Sequence, residues 1–320
     1  MKAHRTFSLV MACVVLAFGC ISCSDDSSSS GSPGGTIPPI GELVGSWAGY
    51  FLAGPENMLT DDEDLPANDG EEFLEYDDND IFVVGVVAQG SEPGVRRARF
   101  IGDDTLFVSD ELNVNDLLGV RAFLRGDFDY YTWNASGVDP YAVSADTISL
   151  SGNAVFSTYF LEGLYWHDPE DREYWPFQLF SYNATSTVLA ADVTKLQGEW
   201  AISDAFMSDN ILEFTVTPQG EGAQATAAAI EGGDLDGNLI SGTIVEISYA
   251  DLAGAQSVDI YEVAIDLATG SGTYSLNGLA TYYFAFDEDG NIDERALAIG
   301  VSDEEGTHMI TGLAAPVVEE

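Results

Sequence analysis

The chain has 320 residues, 46% of them apolar, and its 54 acidic residues against 10 basic ones give a formal net charge of −44. That length suits about two domains of roughly 100–200 residues each. The charge argues against binding to nucleic acid or to anionic lipid headgroups. The three cysteines are Cys13, Cys20 and Cys23, so no disulfide framework or cysteine metal site is available to the folded part.

Residues 1–19 read as a targeting leader. Lys2 and Arg5 supply a positive start, and the apolar run from Phe7 to Gly19 is too short to span a bilayer. The stretch Leu16-Ala17-Phe18-Gly19-Cys20 resembles the lipobox of bacterial lipoproteins. The resemblance implies cleavage after Gly19 and lipidation of Cys20, with Cys23 as the alternative acceptor and an ordinary secretory signal as the rival reading. Ile21 stands where an Asp would imply retention in the inner membrane, so the resemblance points to an outer-membrane destination. Several acyl chains would hold such a protein stably. Within residues 20–39, the lipidated Cys and a tether rich in Ser, Gly and Pro, the 16 residues 24–39 form a flexible linker with a reach of about 20–24 Å. The acidic, lysine-poor remainder resembles marine or halophilic secreted proteins, whose charge favours solubility in high salt.

From residue 40 onward, short runs rich in Val, Ile, Phe and Tyr alternate with Gly, Asp, Asn and Pro, the composition of strands and turns. Strands are expected at 46–53, 81–89, 95–101, 105–109, 119–125, 147–150, 155–161 and 175–182. Residues 110–118 suggest a turn or two of helix.

One short pattern appears twice: Leu43-Val44-Gly45-Ser46-Trp47-Ala48 returns as Leu196-Gln197-Gly198-Glu199-Trp200-Ala201. In a strand, alternation sets Leu, Gly and Trp on one face. Gly45 and Gly198, two positions before the indole, would leave room for it or for a crossing strand. Further echoes keep the same order. Ile81-Phe82 and the Gln89-Gly90 that follows match Ile211-Leu212 and Gln219-Gly220. Asp116–Gly119 matches Asp251–Gly254, Thr158–Phe160 matches Tyr282–Phe284, and Asp171-Arg172 matches Glu294-Arg295. The chain therefore divides into two copies of one β-unit, 40–190 and 191–320.

A many-stranded antiparallel unit removes its edges most fully by closing. An opening Gly-x-Trp strand followed by hairpins resembles the lipocalin-like superfamily. The resemblance implies an all-β chain of two tandem antiparallel up-and-down barrels, with Arg172 and Arg295 set against Trp47 and Trp200. Open β-sandwiches are the alternative.

Two turns, Asp234-Leu235-Asp236-Gly237-Asn238 and Asp287-Glu288-Asp289-Gly290-Asn291, read as hairpins, since neither supplies the twelfth-position Glu of a calcium loop. Residues 61–80 hold 11 carboxylates in an insertion found only in the first unit. Asp61, Asp62, Asp64, Asp77, Asp78 and Asp80 are the candidate ligands for calcium, although acidic runs are more often solvated. No other cofactor is implied.

The aromatic cluster Tyr165, Trp166, His167, Tyr174 and Trp175 is the candidate ligand site, able to stack on a sugar ring or cover a barrel mouth. Packing of these residues as ordinary strand positions is the competing reading. The aromatic segment is expected to match the plain Asp287–Asn291 turn of the second unit. No Gly-x-Ser-x-Gly elbow, P-loop or His-Glu-x-x-His pattern occurs, and no catalytic residue is assigned. Three functions stay open: a binding module for a small apolar or glycan ligand, a structural or interaction protein with filled barrels, and a hydrolase.

Overall fold

The computed structural model describes residues 43–52, 80–90, 92, 94–117, 121–133, 139–155, 160–167, 174–181, 192–203, 210–220, 225–247, 259–286 and 292–317. The first half contributes β1 (Gly45–Phe51), β2 (Ile81–Gln89), β3 (Val95–Ile101), β4 (Thr105–Leu117), β5 (Arg121–Trp133), β6 (Val143–Val155), β7 (Phe160–Trp166) and β8 (Trp175–Ser181). After a 3-10 turn at Val193–Leu196 come β9 (Gly198–Ser203), β10 (Ile211–Gln219), β11 (Ala227–Asp234), β12 (Leu239–Glu246), β13 (Ile260–Ala268), β14 (Thr273–Phe286), β15 (Ile292–Ser302) and β16 (Met309–Pro316). Each set of eight is an antiparallel meander closed on itself, so the sheets are barrels and not sandwiches. Barrel 1 closes through five residue pairs, Trp47↔Ser181 to Phe51↔Phe177. Barrel 2 closes more narrowly, through Ala315↔Ala201 and Pro316↔Trp200.

The repeated motif is the corner that starts each barrel. Trp47 Nε1 donates to the Leu43 carbonyl at 3.0 Å, and Trp200 Nε1 donates to the Leu196 carbonyl at 2.8 Å. Both leucines and both tryptophans are buried. The Leu thus does not share a strand face with Gly and Trp, as alternation suggested. Leu196 ends the 3-10 turn, and each leucine's carbonyl satisfies the indole four residues on. The part played by Gly198 also differs from expectation. A Cβ on Gly198 would meet nothing within 4 Å, but its φ of +141° is one that glycine adopts readily and other residues rarely do.

Two cores follow from two buried faces. In β2, Val83 and Val87 join the interior of barrel 1, whereas Val84, Val86 and Ala88 belong to a cluster continuous with barrel 2. Across that interface a Cβ on Gly300 would come within 2.6 Å of Leu106 and 2.7 Å of Ile101. The Thr311 hydroxyl donates to the carbonyls of Gly102 and Thr105, and the Ser46 and Thr281 hydroxyls lie 2.5 Å apart. The two barrels are therefore packed as one body on an apolar, close-fitting face.

Several expectations change. Residues 110–117 are the second half of β4, with Leu112 and Val114 buried and Glu111, Asn113 and Asn115 exposed, a period of two and not of a helix. A register shift between Val108 and Asn113 hides that alternation in the sequence. The expected strand at 155–161 splits, because β6 ends at Val155 and β7 begins at Phe160. The repeats also slip late in the chain. β2 and β10 correspond as the second strand of each barrel, but Tyr282–Phe284 lies in the sixth strand of barrel 2 and Phe160 opens the seventh of barrel 1. Likewise, Glu294-Arg295 sits within β15, whereas Asp171-Arg172 falls between β7 and β8.

Candidate functional site

An eight-stranded meander brings alternate connections to one end. In barrel 1 these follow β1, β3, β5 and β7; in barrel 2 they follow β9, β11, β13 and β15. These are the two mouths, and they are built differently.

The mouth of barrel 1 is aromatic. Its floor is a stack: Phe51 lies on Phe107 at 4.6 Å and on Phe177 at 5.4 Å between ring centroids, with Phe100 and Phe128 beneath. Tyr130 stacks on Phe107, and Tyr165 tilts against Phe51 and Trp175. The His167 ring stands edgewise to both Tyr130 (5.8 Å) and Trp175 (5.2 Å), and its Nδ1 lies 3.2 Å from Asp146. Trp166 and Tyr174 form a separate edge-to-face pair. The five sequence candidates therefore divide: Tyr165, His167 and Trp175 share one cluster, and Trp166 pairs with Tyr174. Tyr165 is buried and its hydroxyl donates to the Leu52 carbonyl at 3.0 Å, so it is a structural tie. Burial, with the charge of Asp80 adding, raises its pKa. His167 is exposed, while Tyr130 and Trp175 are half-buried. Tyr130 was not singled out from the sequence; its place opposite residue 146 on β6 was the missing information.

The interior below this mouth is filled. A Cβ on Gly163 would come within 2.6 Å of the Phe177 ring, and one on Gly152 within 2.8 Å. These glycines make room for the ring.

The mouth of barrel 2 is closed by barrel 1. Between β5 and β6, residues 139–143 form a strap that touches three hairpins. Tyr141 is fully buried; its hydroxyl donates to Asp234 at 2.8 Å, beside Asn210 and Asn238. Asp139 accepts from the Thr269 hydroxyl at 3.0 Å and from Ser271. Backbone bonds run from Val143 to Thr307 and from Met309 to Tyr141. Burial works to raise the pKa of Asp139, but its hydrogen bonds from Ser271, Tyr141 and Thr269 outweigh this and hold it below the usual range. Asp234 behaves in the same way through Asn238 and Tyr141. Its hydrogen bonds from the Asp236 and Asn238 amides shape the Asp234–Asn238 turn, with Gly237 at φ +86°. The counterpart of the aromatic segment is thus the Asp303–His308 turn, which joins the seventh and eighth strands of barrel 2, and not Asp287–Asn291.

At the far end of barrel 2 lies Asp259, 1% exposed. It accepts from the Tyr261 hydroxyl, and burial pushes its pKa up to about 6. Nearby, the 3-10 turn is capped by Asp192 and held by Glu246, which accepts from the Val193 N–H at 2.9 Å.

Other expected residues fall elsewhere. Arg295 is exposed and hydrogen-bonds Tyr282, whose ring lies edgewise on Trp200 at 6.4 Å. Cys20, Cys23, Arg172, Asp61, Asp62, Asp64, Asp77 and Asp78 lie outside the described residues, and Asp80 is half-buried at the aromatic mouth. Among the described residues, no three His, Cys, Asp or Glu side chains are grouped to hold a metal ion. Compared with protein-family models, curated proteins and solved structures, the chain matches none.

Proposed function

We propose that the protein is a non-catalytic binding lipoprotein of the bacterial outer membrane, and that its contact surface is the aromatic mouth of barrel 1. The convergence of Tyr130, His167 and Trp175 over a filled stack carries this reading. An apolar ligand in a lumen needs empty volume, and Phe177 occupies the space beside Gly152 and Gly163. A sugar ring needs less depth: its C–H face stacks on an aromatic ring while its hydroxyls meet carboxylates such as Asp146. The rim thus favours a glycan over a wholly apolar ligand. Barrel 2, plugged by Tyr141, serves as support. The lipobox resemblance supplies the anchor, and the tether sets the mouth off the membrane.

Titration of the intact chain with a panel of neutral oligosaccharides, read by tryptophan fluorescence and saturation-transfer NMR, tests the proposal. Binding that Trp175→Ala abolishes while the fold is kept supports it. No response across the panel would favour the filled-barrel interaction protein, which the packed interior also fits.

A further inference from the structure

Charge in barrel 1 is sorted by end. β3 and β5 both run towards the mouth, and Arg96, Arg97, Arg121 and Arg125 sit in their first halves, away from it. Arg99, further along, is buried and paired with Asp110 at 2.9 Å. The mouth carries carboxylates: Asp80 leads into β2, Asp104 lies in the turn between β3 and β4, and Asp146 stands opposite Tyr130. Burial first, then the charges of Asp104 and Asp146, raise the pKa of Tyr130, so both carboxylates act on that ring. Residues alternate along β5, so Tyr130 turns into the mouth and Tyr131 turns outward. Tyr131 lines a cleft of about 350 Å³, with Asp129, Asp146 and Thr147 on its side and Glu304 and Glu305 of the β15–β16 turn facing them. Asp146 belongs to both places. It lines the cleft, and its Oδ2 lies 3.2 Å from Nδ1 of His167, the ring that stands edgewise to Tyr130 and Trp175.

We propose that the ligand of the aromatic mouth is a glycan bearing amino groups, with its sugar face on Tyr130 and Trp175 and an ammonium directed past Asp146 into the cleft. The inference rests on the reading of this mouth as a glycan contact and adds the charge of the ligand. The rings make the site, and the carboxylates beside them decide what it accepts. The face of an aromatic ring and a carboxylate both attract a cation, whereas a neutral sugar draws on the ring by C–H stacking and an acidic sugar is repelled. A metal ion is the poorer occupant, because among the described residues no three His, Cys, Asp or Glu side chains are grouped to hold one. The negative groups run instead from the rim along the cleft, which matches ammonium groups repeated along a chain. A lysine-rich peptide carries such charges too, but it has no rigid pyranose face to lay on the rings.

Calorimetric titration of the full chain with a glucosamine oligosaccharide in its ammonium form, and with its N-acetylated counterpart of equal length, tests the charge. The amine form should bind about tenfold more tightly at low salt, a ratio within the worth of one cation–π contact. That ratio should shrink in molar salt. Asp129→Asn combined with Glu304→Gln, both exposed side chains of the cleft, should bring the ratio close to parity. Glu213→Gln with Glu231→Gln, exposed on β10 and β11 of barrel 2, should leave it as it was. Equal binding of the two oligosaccharides overturns the inference and leaves the glycan reading standing. No binding of either also overturns it, and the neutral panel then decides the glycan reading by itself. A ratio that the cleft variant leaves unchanged, or that falls equally in both double variants, overturns it too, the latter by making the preference a matter of net charge. Oligolysine that binds as tightly as the amine form, and still binds after Trp175→Ala, overturns it in favour of a basic peptide.

Discussion

The two barrels share one topology and fill it in different ways. Barrel 1 is packed with rings, Trp47, Phe51, Phe100, Phe107, Phe128 and Phe177, and its inward glycines are sites of contact with those rings. Barrel 2 is packed with branched aliphatics such as Ile230, Ile244, Ile265, Leu276 and Ile299. Rings carry a large area on few residues and reach the rim, so barrel 1 ends in an aromatic mouth. Aliphatic side chains stop short of the rim, and barrel 2 finishes with a polar network and a borrowed tyrosine. The lesson is that an eight-stranded meander sets the frame, while side-chain size decides which end is left to meet a partner.

The sharpest way to break this comparison is to empty each barrel in turn. Phe177→Ala in barrel 1 and Trp200→Ala in barrel 2 should each cost about 3–5 kcal/mol, as large aromatic truncations in a core do. Because the barrels share an apolar face, both variants should still unfold in one denaturant transition. Two separate transitions would show that the cores are independent and the interface weak.

The frame was readable because its signals are local. Short apolar runs bounded by turn residues placed β2 and β3 at their observed bounds, and the Leu-x-Gly-x-Trp repeat marked both starting corners. Where local signals fail, so does the reading. Between the end of β6 and the start of β7 the sequence Phe156–Tyr159 has no Gly, Pro, Asn or Asp to mark a break. The shift in β4 inserts residues that break the period of two. Of the candidate site, Trp175 and His167 were legible as an unusual local cluster, but Tyr130 and Asp146 join it only through the β5–β6 pairing. The strap was illegible for the same reason: Tyr141 and Asp234 are 93 residues apart and meet only because two barrels pack.

Asp259 sharpens the comparison by pH. Its folded pKa of about 6 lies above an unfolded value near 3.9. Its contribution to stability is therefore fully present below about pH 4 and is lost as pH rises through 6. The parent chain should lose about 2–3 kcal/mol from this group between those limits relative to Asp259→Asn, whose own stability lacks that change. Asp139, Asp234 and Asp303 have lowered values and act oppositely, losing their contribution as pH falls below the usual carboxylate range. Paired urea titrations of parent and variant across pH 4–8 isolate the Asp259 part. A constant difference between the two would refute a raised value.

Tyr141→Phe tests the plug with less disturbance. It removes a hydrogen bond to a charged acceptor, a loss of about 1.5 kcal/mol at the low end of such bonds, since Asn210 and Asn238 still serve Asp234. Exchange should quicken at the amides of Asp236 and Asn238, which bond the same carboxylate, while amides of β3 keep their protection. Quickening spread evenly over both barrels would mean that Tyr141 supports the whole body and not one mouth.

The smallest effect belongs to the most visible contact between the barrels, the Arg97–Glu262 ion pair at 2.5 Å. Its side chains are 33% and 53% exposed, and water and salt screen such a pair to about 0–1 kcal/mol. A double-mutant cycle with Arg97→Gln and Glu262→Gln should give a coupling inside that range that vanishes in molar salt. A coupling that survives high salt would move weight from the apolar face formed by Gly300, Leu106 and Ile101 to the ionic rim. The barrels would then be held together by charge, in a chain whose remaining charge is nearly all of one sign.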